Sequence, residues 1–177
     1  MASSLSYLAG QELTWIPTAT FKSRYDLIGP DSRVLATLDM SNWTSKAHAT
    51  VPEGTLFLRK ENWTGSKIGV YASEQGPLLA TYQRNWTGTS GQLLFLDGRS
   101  FKWGRINFWG TQKAWTDPTG ITPYVQLSVR GFSRKSTVLI HPQATDIPDL
   151  SLLVVLGLYN IITERRNAEA ASSAATV

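Results

Sequence analysis

Between residues 20 and 141 apolar and polar positions alternate over short runs, and each run ends in Gly, Pro, Asn, Asp or Ser. Tyr25-Asp26-Leu27-Ile28 meets Gly29-Pro30-Asp31-Ser32 and resumes as Arg33-Val34-Leu35-Ala36-Thr37-Leu38. The same grammar recurs at Leu56-Phe57-Leu58-Arg59, Lys67-Ile68-Gly69-Val70-Tyr71 and Leu78-Leu79-Ala80-Thr81-Tyr82. Period-two runs bounded by turn residues predict an antiparallel β meander. The best-defined hairpin is Gln92-Leu93-Leu94-Phe95-Leu96, Asp97-Gly98, Arg99-Ser100-Phe101-Lys102-Trp103. Asp-Gly suits a two-residue type I′ turn, which would pair Leu96 with Arg99, Leu94 with Phe101 and Gln92 with Trp103. That register puts Leu94, Leu96, Phe101 and Trp103 on the core face and Lys102 on the other.

After His141-Pro142 the pattern changes to the almost continuously apolar stretch 150–162. Its length predicts a helix, with Asp146 or Asp149 favouring its start and Arg165 and Arg166 matching the negative end of its dipole. A helix apolar all round needs burial on every side. Thirteen residues span about 20 Å, short of the roughly 30 Å of bilayer hydrocarbon, so the expectation is a central helix wrapped by strands and no transmembrane segment. The predicted organisation is an N-terminal arm or first strand (1–19), a barrel with a central helix (20–166) and a disordered tail (167–177).

Composition narrows the chemistry. The 177 residues are 42% hydrophobic and 17% charged, as expected of one packed domain. There is no cysteine, which excludes disulfides, thiolate nucleophiles and Cys-based zinc sites. The opening residues lack a basic segment followed by an apolar run, so an intracellular chain, cytoplasmic or peripheral to a membrane, is expected. A net charge of +4 permits contact with phosphates or anionic lipid. The cations are dispersed, Lys22 and Arg24 at one point and Arg134 and Lys135 at another, with no basic tail, so nucleic acid is not an expected partner.

One short sequence occurs three times, as Asn42-Trp43-Thr44, Asn62-Trp63-Thr64 and Asn85-Trp86-Thr87, 20 and 23 residues apart. The triplets read as N-glycosylation acceptors, which matter only in a secreted chain. The structural expectation is that each Asn shapes a turn and each Trp packs beside a strand; Gly65 and Gly88 support the turns.

A strand-rich chain closing on an all-round apolar helix resembles the tubby C-terminal-like superfamily, in which a closed antiparallel barrel surrounds a central helix. Lys60-Glu61-Asn62-Trp63-Thr64-Gly65-Ser66-Lys67-Ile68-Gly69-Val70-Tyr71 is similar to the tubby segment Arg-Ser-Asn-x-x-Gly-Thr-Lys-Phe-x-Val-Tyr, matching at Asn62, Gly65, Lys67, Val70 and Tyr71. Phe95-Leu96-Asp97-Gly98-Arg99-Ser100-Phe101-Lys102-Trp103 and Leu152-Leu153-Val154-Val155-Leu156-Gly157-Leu158-Tyr159 resemble small fungal tubby-like proteins of unknown function. The resemblance implies binding of phosphoinositide headgroups, partly through a Lys-x-Arg pair. Leu58 and Lys60 stand at that pair's positions, so only the second cation is present. The candidate headgroup residues are Arg59, Lys60, Asn62 and Lys67.

No Gly-x-Gly-x-x-Gly, Walker loop, Gly-x-Ser-x-Gly or His-Glu-x-x-His is present, so an enzyme, a catalytic residue and a cofactor are not expected. His48 and His141 have no partner at ligand spacing, and no metal is expected. The leading expectation is a non-enzymatic binding or adaptor domain for anionic membrane lipid. The alternative is protein or carbohydrate recognition through exposed tryptophans among the seven, Trp103, Trp109 and Trp115 included. An exposed row of tryptophans favours the alternative, and buried rings beside a basic patch favour lipid.

Overall fold

Side-chain alternation gives the sheet one apolar face, which closing into a barrel buries. The computed structural model describes residues 5–18, 23–131 and 133–176; 1–4, 19–22, 132 and 177, and with them Lys22, lie outside the described residues. The strands are β1 (Glu12–Pro17), β2 (Ser23–Ile28), β3 (Val34–Met40), β4 (Ala47–Val51), β5 (Gly54–Lys60) and β6 (Lys67–Tyr71). They continue as β7 (Leu78–Arg84), β8 (Gly91–Phe95), β9 (Ser100–Arg105), β10 (Gln112–Thr116), β11 (Pro123–Val129) and β12 (Ser136–Ile140). Each pairs antiparallel with its sequence neighbours, and β1 pairs with β12, so the meander is a closed barrel. The predicted arm or first strand therefore contains a full barrel strand, Glu12–Pro17.

Eight strands make a barrel that side chains alone can fill, whereas twelve leave room for more. That room holds α1 (Leu150–Ala174), buried on every side from Leu150 to Thr163. Trp15, Trp103, Trp115, Tyr82 and Tyr159 are the largest fully buried side chains packed there. The helix comes closest to β10 and β11 at Gly157, where an added Cβ would lie 2.7 Å from a methyl of Leu127 and 3.3 Å from Trp115 Nε1. Only glycine lets the backbone approach that wall.

The structure corrects the predicted 92–103 hairpin by one residue. Leu93 pairs with Phe101 and Gly91 with Trp103, and the Phe95 N–H donates to the Arg99 carbonyl at 2.9 Å. The loop is therefore Leu96-Asp97-Gly98, with only Gly98 at positive φ (+89°). The Asp97 carboxylate accepts from the Arg99 backbone N–H at 3.0 Å, which favours this three-residue turn over type I′. A one-residue slip exchanges faces. Leu93 and Phe95 are buried with Phe101 and Trp103, while Leu94 and Leu96 face solvent.

The helix also departs from expectation at both ends. Asp149 is the N-cap residue, yet its side chain makes no cap bond and pairs with Arg99 at 2.7 Å. At the other end the helix continues through the expected disordered tail to Ala174, since the Ala-rich sequence after Arg166 contains no helix breaker. Arg165 and Arg166 consequently lie mid-helix, away from its negative end. No helix among the described residues is long and apolar enough to cross a membrane.

Candidate functional site at the open end of the barrel

Chain direction sorts the connections into two sets. Those after even-numbered strands lie at the end where α1 begins, covered by a 3-10 turn at Ser6–Leu8 whose Leu8, like Leu5, joins the core. Those after odd-numbered strands surround the point where α1 emerges.

Three of the latter share one construction. In the β5–β6 loop the Gly65 N–H donates to the Asn62 carbonyl, Asn62 Oδ1 accepts from the Lys67 N–H at 3.1 Å, and Asn62 Nδ2 donates to Ser66 Oγ at 2.8 Å. In the β7–β8 loop Gly88 bonds to Asn85 in the same way, and Asn85 Oδ1 accepts from the Ser90 N–H at 3.2 Å. The β9–β10 loop repeats it, with Gly110 bonded to Asn107, Asn107 Oδ1 accepting from the Gln112 N–H and Asn107 Nδ2 donating to Thr111. A fourth loop, between β3 and β4, uses Ser41 Oγ to accept from the Trp43 and Thr44 N–H groups.

The expected turn role of Asn62 and Asn85 is borne out, but the expected packing of the tryptophans is not. Trp43, Trp63 and Trp86 are 94%, 97% and 96% exposed, and Phe108 and Trp109 stand out beside them. The reason is local: hydrogen bonds inside each loop fold the polar groups inward and leave the aromatic at the tip. Trp15, Trp103 and Trp115 are the buried tryptophans. Sequence reasoning missed the β9–β10 copy, because its text is Asn107-Phe108-Trp109-Gly110; the spacing Asn-x-x-Gly was the signal. Phe21 and Phe132 fall by sequence in the other two connections of this end and lie outside the described residues.

Polar bonds seat the emerging helix among these loops. Arg84 donates to Thr163 Oγ1 at 2.9 Å, and Trp103 Nε1 donates to Glu164, which also contacts Lys113. Burial, followed by repulsion from Arg105 and Arg84, pulls the Lys113 ammonium down to about 8, and the Glu164 contact works against that shift. Arg166 donates to the Ser41 carbonyl at 2.9 Å and to Ser23 Oγ at 2.7 Å. Two clefts of about 520 and 560 Å³ flank the helix, one beside Arg134, Arg165 and Arg166 and the other beside Thr64, Trp86 and Asn167.

The sequence-predicted residues meet at one corner of this end without forming one basic face. Arg59 lies opposite Gly69, with its guanidinium on Glu61 at 3.0 Å, on the Tyr71 hydroxyl at 3.0 Å and over the Tyr71 ring. Hydrogen bonds to Glu61 and Tyr71 raise the Arg59 pKa. For Glu61, burial opposes ionisation, but hydrogen bonds from Tyr71 and Arg59 outweigh it and hold the carboxylate below its usual range. Asn62 is spent on its turn. Lys60 and Lys67 are exposed, and the Lys60 stem crosses Gly65. Strand alternation puts Lys60 and Arg59 on opposite faces.

His48 stacks on Phe57 at 4.8 Å, and His141 lies 3.3 Å from Gln126 Oε1. No group of three His, Asp or Glu residues among those described could hold a metal ion. Comparisons with family models, curated proteins and solved structures find no match.

Proposed function

We propose that this chain is a non-enzymatic docking domain that sets its aromatic-tipped end on an anionic membrane surface. The observation that carries the reading is the closure of each tip loop on itself. Unpaired backbone polar groups are costly beside a poorly hydrated layer, and each of these loops pairs part of its own backbone while offering one or two aromatic rings outward. Tryptophan suits the depth concerned, because its ring is apolar and its N–H still reaches headgroups.

Exposed tryptophans by themselves favour a glycan or a protein partner. A glycan site, however, needs polar groups converging beside the ring, and here Asn62, Thr64, Ser66, Thr87 and Asn107 bond within their own loops. A protein hot spot groups its anchors at a centre, whereas these aromatics stand on separate loops around an emerging helix.

Charge complements the choice. Acids outnumber cations at the end where α1 begins, with Asp31, Glu53, Asp97, Asp117, Asp146 and Asp149 against Arg33 and Arg99. Cations outnumber acids at the aromatic end, with Lys60, Lys67, Arg105, Arg130, Lys135 and Arg165 among those set against Glu61, Glu164 and Glu169. A field polarised along the barrel axis turns the aromatic end toward negative charge. Of the candidate residues from sequence, Lys60 and Lys67 contribute to this attraction, and Arg59 and Asn62 support the corner. The tubby-like resemblance belongs to the same proposal and draws support from the barrel around a helix.

The test is co-sedimentation with phosphatidylcholine vesicles with and without phosphatidylserine. Native protein should pellet with the anionic vesicles at low salt and less at high salt, each basic residue near the surface being worth about 1 kcal/mol. Trp63→Ser with Trp86→Ser should abolish pelleting and leave the melting temperature unchanged. Native protein that never pellets at low salt would overturn the reading in favour of a protein or glycan partner.

A further inference from the structure

The cleft between α1 and the β2 and β12 side of the open end collects three guanidiniums, those of Arg134, Arg165 and Arg166, with Ser23 and Tyr25 on its wall and buried Ile162 at its floor. Their hydrogen-bond partners are neutral: Arg134 donates to the Tyr25 hydroxyl at 3.3 Å, Arg165 to the Ser133 carbonyl at 3.3 Å, and Arg166 to Ser23 and Ser41. None of the ion pairs among the described residues involves these three arginines. Glu169 lines the same cleft, so one carboxylate faces three cations and the cleft keeps a positive excess. Each guanidinium carries five N–H donors, and most of these remain without a protein acceptor.

We propose that this cleft binds a phosphomonoester. The site asks for a compact, doubly charged acceptor, and a terminal phosphate carries nearly two negative charges at neutral pH with three acceptor oxygens. Arginine forks match that geometry in pairs. A volume of about 520 Å³ admits the phosphate and the carbon backbone attached to it, which can lie along Ile162. A phosphodiester, with one charge and substituents on both sides, satisfies fewer of these donors. The proposal deepens the membrane reading and rests on it for the source of the ligand, since the cleft opens on the same end as the aromatic tips. The shared chemistry is the monoester, whether on a lipid headgroup or on a free metabolite.

Two measurements separate the sources. Vesicles of phosphatidylcholine carrying phosphatidic acid are compared with vesicles carrying phosphatidylserine at matched surface charge, and binding of glycerol 3-phosphate is followed by calorimetry. The cleft predicts tighter binding to phosphatidic acid. Arg134→Gln with Arg165→Gln should lower that affinity by roughly tenfold, the worth of one or two charge-assisted hydrogen bonds, down to the phosphatidylserine level. Melting should not change, because Arg166 still ties the helix to Ser23 and Ser41. Saturable glycerol 3-phosphate binding that the same double variant loses would support the cleft even if no vesicle binds, in which case the membrane reading alone fails. Equal binding to both vesicles with no saturable glycerol 3-phosphate binding overturns the cleft and leaves the aromatic rim standing.

Discussion

At the end of the barrel where α1 begins, one arginine ties the β8–β9 turn to the start of the helix and no tryptophan among the described residues is exposed; at the end where it emerges, three asparagines are bonded inside their own loops and aromatic rings stand outward. Arg99 bridges Asp97 of the β8–β9 turn and Asp149 before the helix, both at 2.7 Å, and its guanidinium covers the Phe95 ring. The Arg99 backbone and side-chain N–H groups hold the Asp97 carboxylate below its usual range. The aromatic end is built on asparagine instead. Asn62, Asn85 and Asn107 satisfy their own loops, and five aromatic side chains are left in water. Burying those rings is free energy that the fold itself does not use, which is how a scaffold reserves a surface for binding. The contrast assigns stability to the first end and recognition to the second.

The largest effect should come from the axis that both ends share. Leu156 is fully buried within the barrel, and Leu156→Asp would place an unpaired charge there. The penalty is comparable to the whole stability of a domain, about 5–15 kcal/mol, so cooperative melting should disappear. A normal melting curve would mean that the helix is not the common support, and the contrast between the ends would lose its basis.

A smaller effect should separate the ends. Gly98 sits at φ +89°, and Gly98→Val forces a β-branched residue into that region, costing more than about 1 kcal/mol. For a chain of this size that lowers the melting temperature by roughly 2–4 °C per kcal/mol. Vesicle binding should be unaffected. If the variant instead lost binding at unchanged stability, the division of labour would be wrong.

The same two turns show how much was legible in the sequence. Alternation and turn residues were enough for β2, β3 and β5 to β9 but did not single out β4, β10, β11 or β12 and left β1 as an arm or a strand, whereas an all-round apolar segment was enough for a central helix. Asp97-Gly98 was located but not its register: a two-residue and a three-residue loop differ by one position, and only the Asp97 bond to the Arg99 N–H separates them. Asn62-Trp63-Thr64 was legible as a turn, but not the direction of its ring. A tryptophan beside a strand and one at a loop tip have the same text, and only the folded loop places Trp63 at its tip. Arg59 appeared to be an available cation because its neutralising partners, Glu61 and Tyr71, meet it through loop closure and strand pairing. The arginine cleft was not legible at all, since Arg134 and Arg165 come together only when the barrel closes around the helix.

The smallest expected effect concerns the last turns of α1. Residues 167–176 are exposed, and the helical part extends about 12 Å past Arg166, standing among the aromatic tips. Such a post would hold a flat bilayer away from the rings unless it bends aside or unwinds. An isolated helix this short is marginal in water, so unwinding it is easy but not free. Deleting 168–177 should therefore leave melting unchanged, because no core contact is lost, and should raise affinity for phosphatidylserine vesicles by a modest factor. A partner that grips the helix between the tips predicts the opposite sign. If the shortened chain pellets less than the native one at equal stability, the aromatic end is a socket for a ligand that reads the helix, and the flat-membrane reading must give way.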